Sequence, residues 1–296
     1  MRHQRTLGTS AELGGVGLHG GRPVRIALRP APPDTGIVFV RTDAGGAEIP
    51  ARIEFSGRAN YATILERNGV RVSTIEHLLA ALYALGVDNV RVELDSDEVP
   101  IADGSATPFV AMIQGAGIVE QPAERRYIVI TRPIEISDGE KRISVHPANE
   151  YRITYAIDFD HARLGFQELT VSPWGVTAFT RMLAPARTFV LEREVDALRK
   201  AGLAQGGSLE NAVVIGEHGV LNEGLRFDDE FVRHKMLDLT GDLALLGHPL
   251  CGHVIAFRAG HDMHGLLAHR IMARPDSWHL SPYMVDGSTL GAGLAG

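Results

Sequence analysis

FVRHKMLDLTGDLALLG, Phe231 to Gly247, sets His234, Asp238 and Asp242 four residues apart inside an otherwise apolar helical pattern. At 3.6 residues per turn, positions i and i+4 stack one above the other, so an imidazole and a carboxylate can converge on one point. That point suits a divalent metal. Met236, Leu239, Leu243 and Leu246 give the segment an apolar side able to dock on a core. The competing reading is a surface helix whose His and Asp are merely hydrogen-bonded, and the segment alone does not choose.

Around this stretch the chain reads as two runs of the same order, strands followed by helices. In the first, strands are expected at 4–13, 22–30, 36–41, 48–55 and 61–66, and Asn68-Gly69 reads as a hairpin turn into a strand at 70–74. STIEHLLAALYALG (73–86) has helical spacing, with Ser73 as N-cap and Glu76 completing an S-x-x-E capping box. A strand at 87–95 and a helix over 103–117, capped near Ser105, come next. The polar stretch EQPAERR (120–126) reads as a linker.

The second run has a hairpin about Asp138-Gly139, a strand at 151–159, a helix beginning at 175–183, the helix 231–247, a strand at 252–260 and a last helix from about Asp262 to Ala273. Residues 187–216 are extra and read as an inserted strand, helix and strand. The tail after Arg274 has little periodicity. The fold class is therefore α+β, a two-domain sandwich of similar units, each with a sheet packed against helices. The boundaries are 1–123, 124–274 with its insert, and a tail 275–296. The cleft between the units, where the helix of Glu76-His77 faces that of His234 and Asp238, is the expected ligand site.

Bulk composition narrows the function. The 296 residues are 45% hydrophobic and 22% charged, as expected of a globular protein, and the 33 glycines favour tight turns. A net charge of -7 argues against a nucleic-acid partner. Cys251 is the sole cysteine, which excludes an intrachain disulfide and points to a reducing compartment. MRHQRTLGTS lacks the apolar core of a signal peptide, and no apolar run reaches about 18 residues, so the reading is a soluble cytoplasmic protein without a transmembrane segment. Nothing demands a partner chain, and a monomer is expected.

Gly15-Val16-Gly17-Leu18-His19-Gly20 matches the dinucleotide fingerprint G-x-G-x-x-G, but residues 23–28 read as a strand where that fingerprint needs a helix, so the glycines are assigned to a turn between strands. His19 on that turn can still face a ligand. Glu76-His77 has two readings: a carboxylate placed as general base beside a metal-binding imidazole, or a helix cap beside a satisfied histidine. With His234 and Asp238 the first gains weight, since two His and one Asp leave a fourth position open on a catalytic zinc. His261 begins the last helix, where the helix terminus depresses an imidazole pKa and a nearby Asp242 raises it. Lys141 and Lys235 read as solvated unless an anionic ligand lies near.

TIEHLLAAL (74–82), GVGLH (15–19), DGSATPF (103–109), ARTF (186–189) and LRFDDEFVRHKMLDLTGDLALLGH (225–248) together resemble the UDP-3-O-acyl-N-acetylglucosamine deacetylase family, zinc amidases that perform the committed step of lipid A biosynthesis. The likeness runs from about residue 3 to 272. It implies two α+β domains with the active site between them, and one Zn2+ per chain, with Fe2+ as the alternative, held by His77, His234 and Asp238. It also implies Glu76 as general base, His261 as general acid oriented by Asp242, and Thr188 on the oxyanion. Lys141 and Lys235 fall where the family meets the phosphate or active-site groups of its UDP-sugar, and Phe159 where it stacks on uracil. The insert, with Thr188-Phe189 at its mouth, falls at the passage for the acyl chain. The chain departs from the family pattern at Gly20, at Val190-Leu191, and at Asp262-Met263-His264, which puts a carboxylate and a second imidazole beside the acid. The alternatives are a zinc amidase for another acylated amino sugar and a binding protein without chemistry.

Overall fold

The computed structural model describes residues 2–57, 61–161, 164–173 and 175–283. The expectation for 284–296 lies outside the described residues, as do 1, 58–60, 162–163 and 174 within the expected elements and units. In the first run the chain forms β1 (His3–Leu7), β2 (Ala11–Val16), β3 (Pro23–Pro30), β4 (Ile37–Arg41), β5 (Ala47–Pro50), β6 (Ile64–Arg67), β7 (Val70–Ser73), α1 (Glu76–Leu85), β8 (Val90–Leu94), α2 (Thr107–Ala116) and β9 (Ile118–Glu124). The second run adds β10 (Tyr127–Ile130), β11 (Ile134–Asp138), β12 (Lys141–His146), β13 (Tyr151–Phe159), β14 (Gly165–Val171) and α3 (Val176–Met182). It continues through β15 (Phe189–Leu191), α4 (Glu192–Lys200), β16 (Val213–Gly216), β17 (Gly219–Val220), α5 (Glu230–Leu243), β18 (Leu250–Phe257), α6 (His261–Met272) and β19 (Trp278–Ser281).

The mixed α+β class is as read. One sheet runs in the order β2-β3-β8-β4-β5 and a larger one is built around β18, which pairs antiparallel with β12 and parallel with β13 and β10. The helices lie between these sheets: α2 packs on β2 and α1, α1 on α5, α5 on α6 and β13, and α6 on β11 and β12. All ten residues of α1 are buried, because a helix covered on every side needs apolar or fully satisfied residues all round. One glycine permits the central contact. A Cβ on Gly241 of α5 would fall 2.0 Å from the Glu76 carbonyl oxygen, so only glycine lets α5 cross the start of α1 this closely. That crossing point is where the ionisable residues gather.

The Asn68-Gly69 hairpin forms as expected, with positive φ at both residues (53° and 78°) as a two-residue primed turn requires. The insert also forms: β15 and β16 pair in parallel across α4. Four expectations are corrected. The capping box at Ser73 does not form. Ser73 ends β7 and its hydroxyl donates to the Asp97 carbonyl; Thr74 then turns the chain at φ 56°, and α1 starts at Glu76, whose carboxylate is engaged elsewhere. The 120–126 linker is largely strand β9, paired with β1; Pro122 sits where the register slips between His3↔Glu124 and Arg5↔Glu120, a bulge that needs no N–H there. The tail is not featureless, since β19 pairs antiparallel with β10. Finally β14, absent from the elements expected of the second run, is the antiparallel partner of β13.

Candidate metal centre and acid–base cluster

His77 comes from the first turn of α1, and His234 and Asp238 from successive turns of α5. All three are buried. Asp238 Oδ1 lies 3.3 Å from His234 Nε2 and 3.6 Å from His77 Nε2, and the two imidazoles meet edge to face with centroids 5.0 Å apart. Asp238 Oδ1 has no hydrogen-bond partner although it is out of reach of solvent. A buried carboxylate oxygen left unsatisfied is costly. The donor set fits an ion, because two ligands about 2.0–2.1 Å from one tetrahedral cation sit roughly 3.3–3.4 Å from each other.

Local bonds prepare two of these ligands, His234 and Asp238. The Ala186 carbonyl lies 3.1 Å from His234 Nδ1 and accepts a hydrogen bond from it, leaving Nε2 free toward Asp238. Burial pushes the His234 imidazole down to about 3, over the opposing pull of Asp238, so it is neutral as a ligand must be. For Asp238 burial acts upward, but the Lys235 ammonium and hydrogen bonding prevail and hold the carboxyl well below its ordinary range. Lys235 Nζ donates to Asp238 Oδ2 at 3.0 Å.

One turn along α5, Asp242 organises a second group. His261 Nδ1, at the start of α6, lies 2.8 Å from Asp242 Oδ2, and His264 Nδ1 lies 2.7 Å from the same oxygen. The Thr63 hydroxyl donates to Asp242 Oδ1 in a short hydrogen bond. Burial works to lower the His261 imidazole, yet Asp242 and Asp238 outweigh it and bring it up to about 9. Asp242 goes the other way, to about 2, as His261 and His264 overcome the effect of burial. This group also has two His and one Asp, but its nitrogens stand at hydrogen-bonding distance from the carboxylate and leave no gap for an ion. Its His261 Nε2 points back to the first group, 3.9 Å from Asp238 Oδ2.

Glu76 lies between the two groups, buried, with its carboxyl raised by burial and Oε2 accepting the Thr63 amide at 3.0 Å. A cavity of about 250 Å³ is lined by Glu76, His77, His234, Asp238, His261, Thr188, Phe189, Lys141 and Lys235, so the structure brings these expected residues together. Thr188 and Phe189 also line an adjoining apolar cavity of about 240 Å³ walled by Val190, Val195, Leu198, Ala212 and Val214 of the insert, and His19 stands there. On another side, Phe159, Lys141 and Lys235 border an open cavity of about 400 Å³. Phe189 is edge to face with Phe159 and Phe231, at 5.9 and 5.0 Å.

The turn of residues 15–20 is occupied by a side chain of the protein itself. Its amides at His19 and Gly20 donate to the buried Glu98 carboxylate at 2.8 and 2.7 Å, and a Cβ on Gly17 would strike that carboxylate. At the root of the insert, the Glu230 carboxylate accepts Arg187 Nε at 2.9 Å and the Arg226 amide at 2.7 Å, which fixes the backbone leading into Thr188. Sequence reasoning missed Thr63, Glu98 and Glu230, and it marked His264 only as a second imidazole beside the acid, not as a partner of Asp242.

The family described as UDP-3-O-acyl N-acetylglycosamine deacetylase matches residues 4–273. A protein of Myxococcus xanthus (strain DK1622) is 49% identical over 300 residues, covering 99% of this chain and 95% of that protein. One from Solibacter usitatus (strain Ellin6076) is 50% identical over 283 residues, with 95% of each chain covered. One from Pseudomonas entomophila (strain L48) is 46% identical over 292 residues, 98% of this chain and 96% of that one. Each carries the name UDP-3-O-acyl-N-acetylglucosamine deacetylase.

Proposed function

The chain belongs to the UDP-3-O-acyl N-acetylglycosamine deacetylase family and is an amide hydrolase of lipid A biosynthesis, and we propose that it works with one divalent metal held by His77, His234 and Asp238. Its reaction takes UDP-3-O-acyl-N-acetylglucosamine to acetate and the free 2-amine. Zinc suits a set of two imidazoles and one carboxylate, with Fe2+ the alternative. When bound, the ion supplies Lewis-acid polarisation of the amide carbonyl and acidifies water.

The chain's own groups do the rest. Glu76, with one oxygen engaged by the Thr63 amide, uses the other to take a proton from the attacking water; its burial raises its proton affinity toward that task. Thr188 donates to the oxygen on which negative charge develops. His261, protonated and held at Nδ1 by Asp242, delivers a proton from Nε2 to the departing nitrogen. Lys141 and Lys235 serve the diphosphate or active-site groups, as Lys235 does at Asp238, Phe159 stacks on uracil, and the cavity of the insert, with Phe189 and His19 on its wall, takes the acyl chain. The units 1–123 and 124–274 then meet at the reacting bond. No helix among the described residues is long and apolar enough to cross a membrane. A cytoplasmic monomer that needs no nucleic acid completes the reading.

The single observation that carries it is the unsatisfied Asp238 Oδ1 facing two imidazole Nε2 atoms. The test is metal content measured together with acetate release from UDP-N-acetylglucosamine with and without the 3-O-acyl chain. About one metal per chain and turnover of the acylated substrate are expected. A fully active preparation without metal overturns the ligand assignment, and equal turnover of the unacylated sugar overturns the substrate.

A further inference from the structure

Thr63 belongs to none of the helices that carry the reacting groups, yet it touches both ends of the chemistry. It stands just before β6, 6% exposed. Its amide donates to Glu76 Oε2 at 3.0 Å, and its hydroxyl donates to Asp242 Oδ1 and lies 3.2 Å from His261 Nδ1. Base and acid reside on α1 and α6, and the carboxylate that orients the acid resides on α5. One residue therefore ties together groups from three helices.

We infer that Thr63 is a positioning residue: its amide selects which oxygen of Glu76 is left to act as base, and its hydroxyl pins the Asp242 carboxylate so that Oδ2 faces His261. This rests on the roles proposed for Glu76 and His261 in the deacetylation. The geometry separates the two arms. A carboxylate with one oxygen fixed by a hydroxyl cannot swing about its Cβ–Cγ bond, so Oδ2 stays where the imidazole needs it. Without the hydroxyl, Oδ1 is a buried acceptor lacking its donor, and only the two imidazoles on Oδ2 oppose a turn of the carboxylate that would recover one. His261 Nε2 then loses its aim at the departing nitrogen.

Thr63→Val keeps the shape and the amide bond to Glu76 and removes the hydroxyl alone. Its kcat is expected to fall roughly 10- to 100-fold, the range for losing an outer hydrogen-bond partner, with KM and metal content unchanged. Thr63→Ser, which restores the hydroxyl, should recover most of that loss. The same change placed in an Asp242→Ala background, which removes the acceptor, should cost almost nothing further, because the hydroxyl acts through that carboxylate. A Thr63→Val enzyme as active as wild type overturns the inference, as does an equal loss in both backgrounds or a Ser variant no better than Val. Should the Val variant not fold, Ser against Ala makes the same comparison. Wild type that releases no acetate overturns the proposed deacetylation itself; active wild type with an indifferent Thr63 overturns this inference alone.

Discussion

Two groups of identical make-up, two histidines and one aspartate, meet along α5, which supplies His234, Asp238 and Asp242 while α1 supplies His77 and α6 supplies His261 and His264, and they differ in geometry. In the first, His77, His234 and Asp238, the nitrogens stand 3.3 and 3.6 Å from one carboxylate oxygen that has no hydrogen bond. In the second, His261, His264 and Asp242, they stand at 2.8 and 2.7 Å, and Thr63 closes the remaining oxygen. Residue type therefore does not decide what such a group holds. Mutual satisfaction does: where donors and acceptors already meet, a proton lies between them, and where they fall short by half an ångström or more there is room for the cation proposed to bridge them.

The strongest way to break this comparison is to remove one carboxylate from each group. Asp238→Ala is expected to lose the metal and to lower kcat/KM by roughly three orders of magnitude or more, since the chemistry the ion supplies goes with it. Asp242→Asn is expected to retain the metal while kcat falls roughly 10²- to 10⁴-fold, because an acid of uncertain tautomer is left in place. Elemental analysis beside steady-state kinetics reads both. If Asp242→Asn also emptied the site, the two groups would be one.

A change that strikes both groups comes next. Gly241→Ala puts a methyl 2.0 Å from the Glu76 carbonyl oxygen, so α5 and α1 must part. Overpacking at a helix crossing costs about 1–3 kcal/mol or more, and chemical denaturation should show it together with weaker metal retention and lower kcat.

The pH dependence sharpens the second group. His261 is raised from about 6.5 to about 9, so the proton it donates is lost as pH rises through that value. A cation at the neighbouring ligands repels that charge, and the alkaline fall in kcat is expected at or somewhat below pH 9. Linked stability has the same signs. The contribution of His261 is complete below about 6.5 and disappears as pH rises through about 9, whereas that of Asp242, depressed to about 2, is complete above about 3.8 and disappears in acid. Denaturation curves between about pH 2 and pH 10 check both limbs.

Much of the molecule was legible in the sequence wherever partners are close along the chain. The four-residue spacing of His234, Asp238 and Asp242 is a property of one helix, and the Asn68-Gly69 turn of one hairpin, so local rules suffice. The bond from Thr63 to Asp242 spans 179 residues and that from Ser56 to His269 spans 213; no pattern in the sequence marks such pairs. The same limit explains β9 and β19. Each is a short, polar-flanked segment that becomes a strand only because β1 or β10 offers an unpaired edge. Glu76 shows a subtler limit. The S-x-x-E spacing is real, but the αL turn at Thr74 removes Ser73 from the helix, and the carboxylate is left for Thr63 and the cavity. Of the two readings the sequence offered for Glu76, a helix cap and a general base, tertiary contacts remove the cap.

His264 is expected to give the smallest effect, and it tests the comparison from the inside. It is wholly buried, shares Asp242 Oδ2 with His261, and has the Tyr155 hydroxyl 3.0 Å from Nε2. Burial lowers its pKa, so it is a neutral donor through Nδ1 rather than a second acid. His264→Asn offers an amide N–H in place of Nδ1–H and leaves a small void, which should cost about 1–2 kcal/mol of stability. Turnover should fall by no more than roughly tenfold, because His261 and Thr63 still hold the carboxylate from two sides. Metal content should not change at all. Loss of the metal in this variant would place the ion among Asp242, His261 and His264, and the distinction drawn from hydrogen-bond distances would then be wrong for both groups.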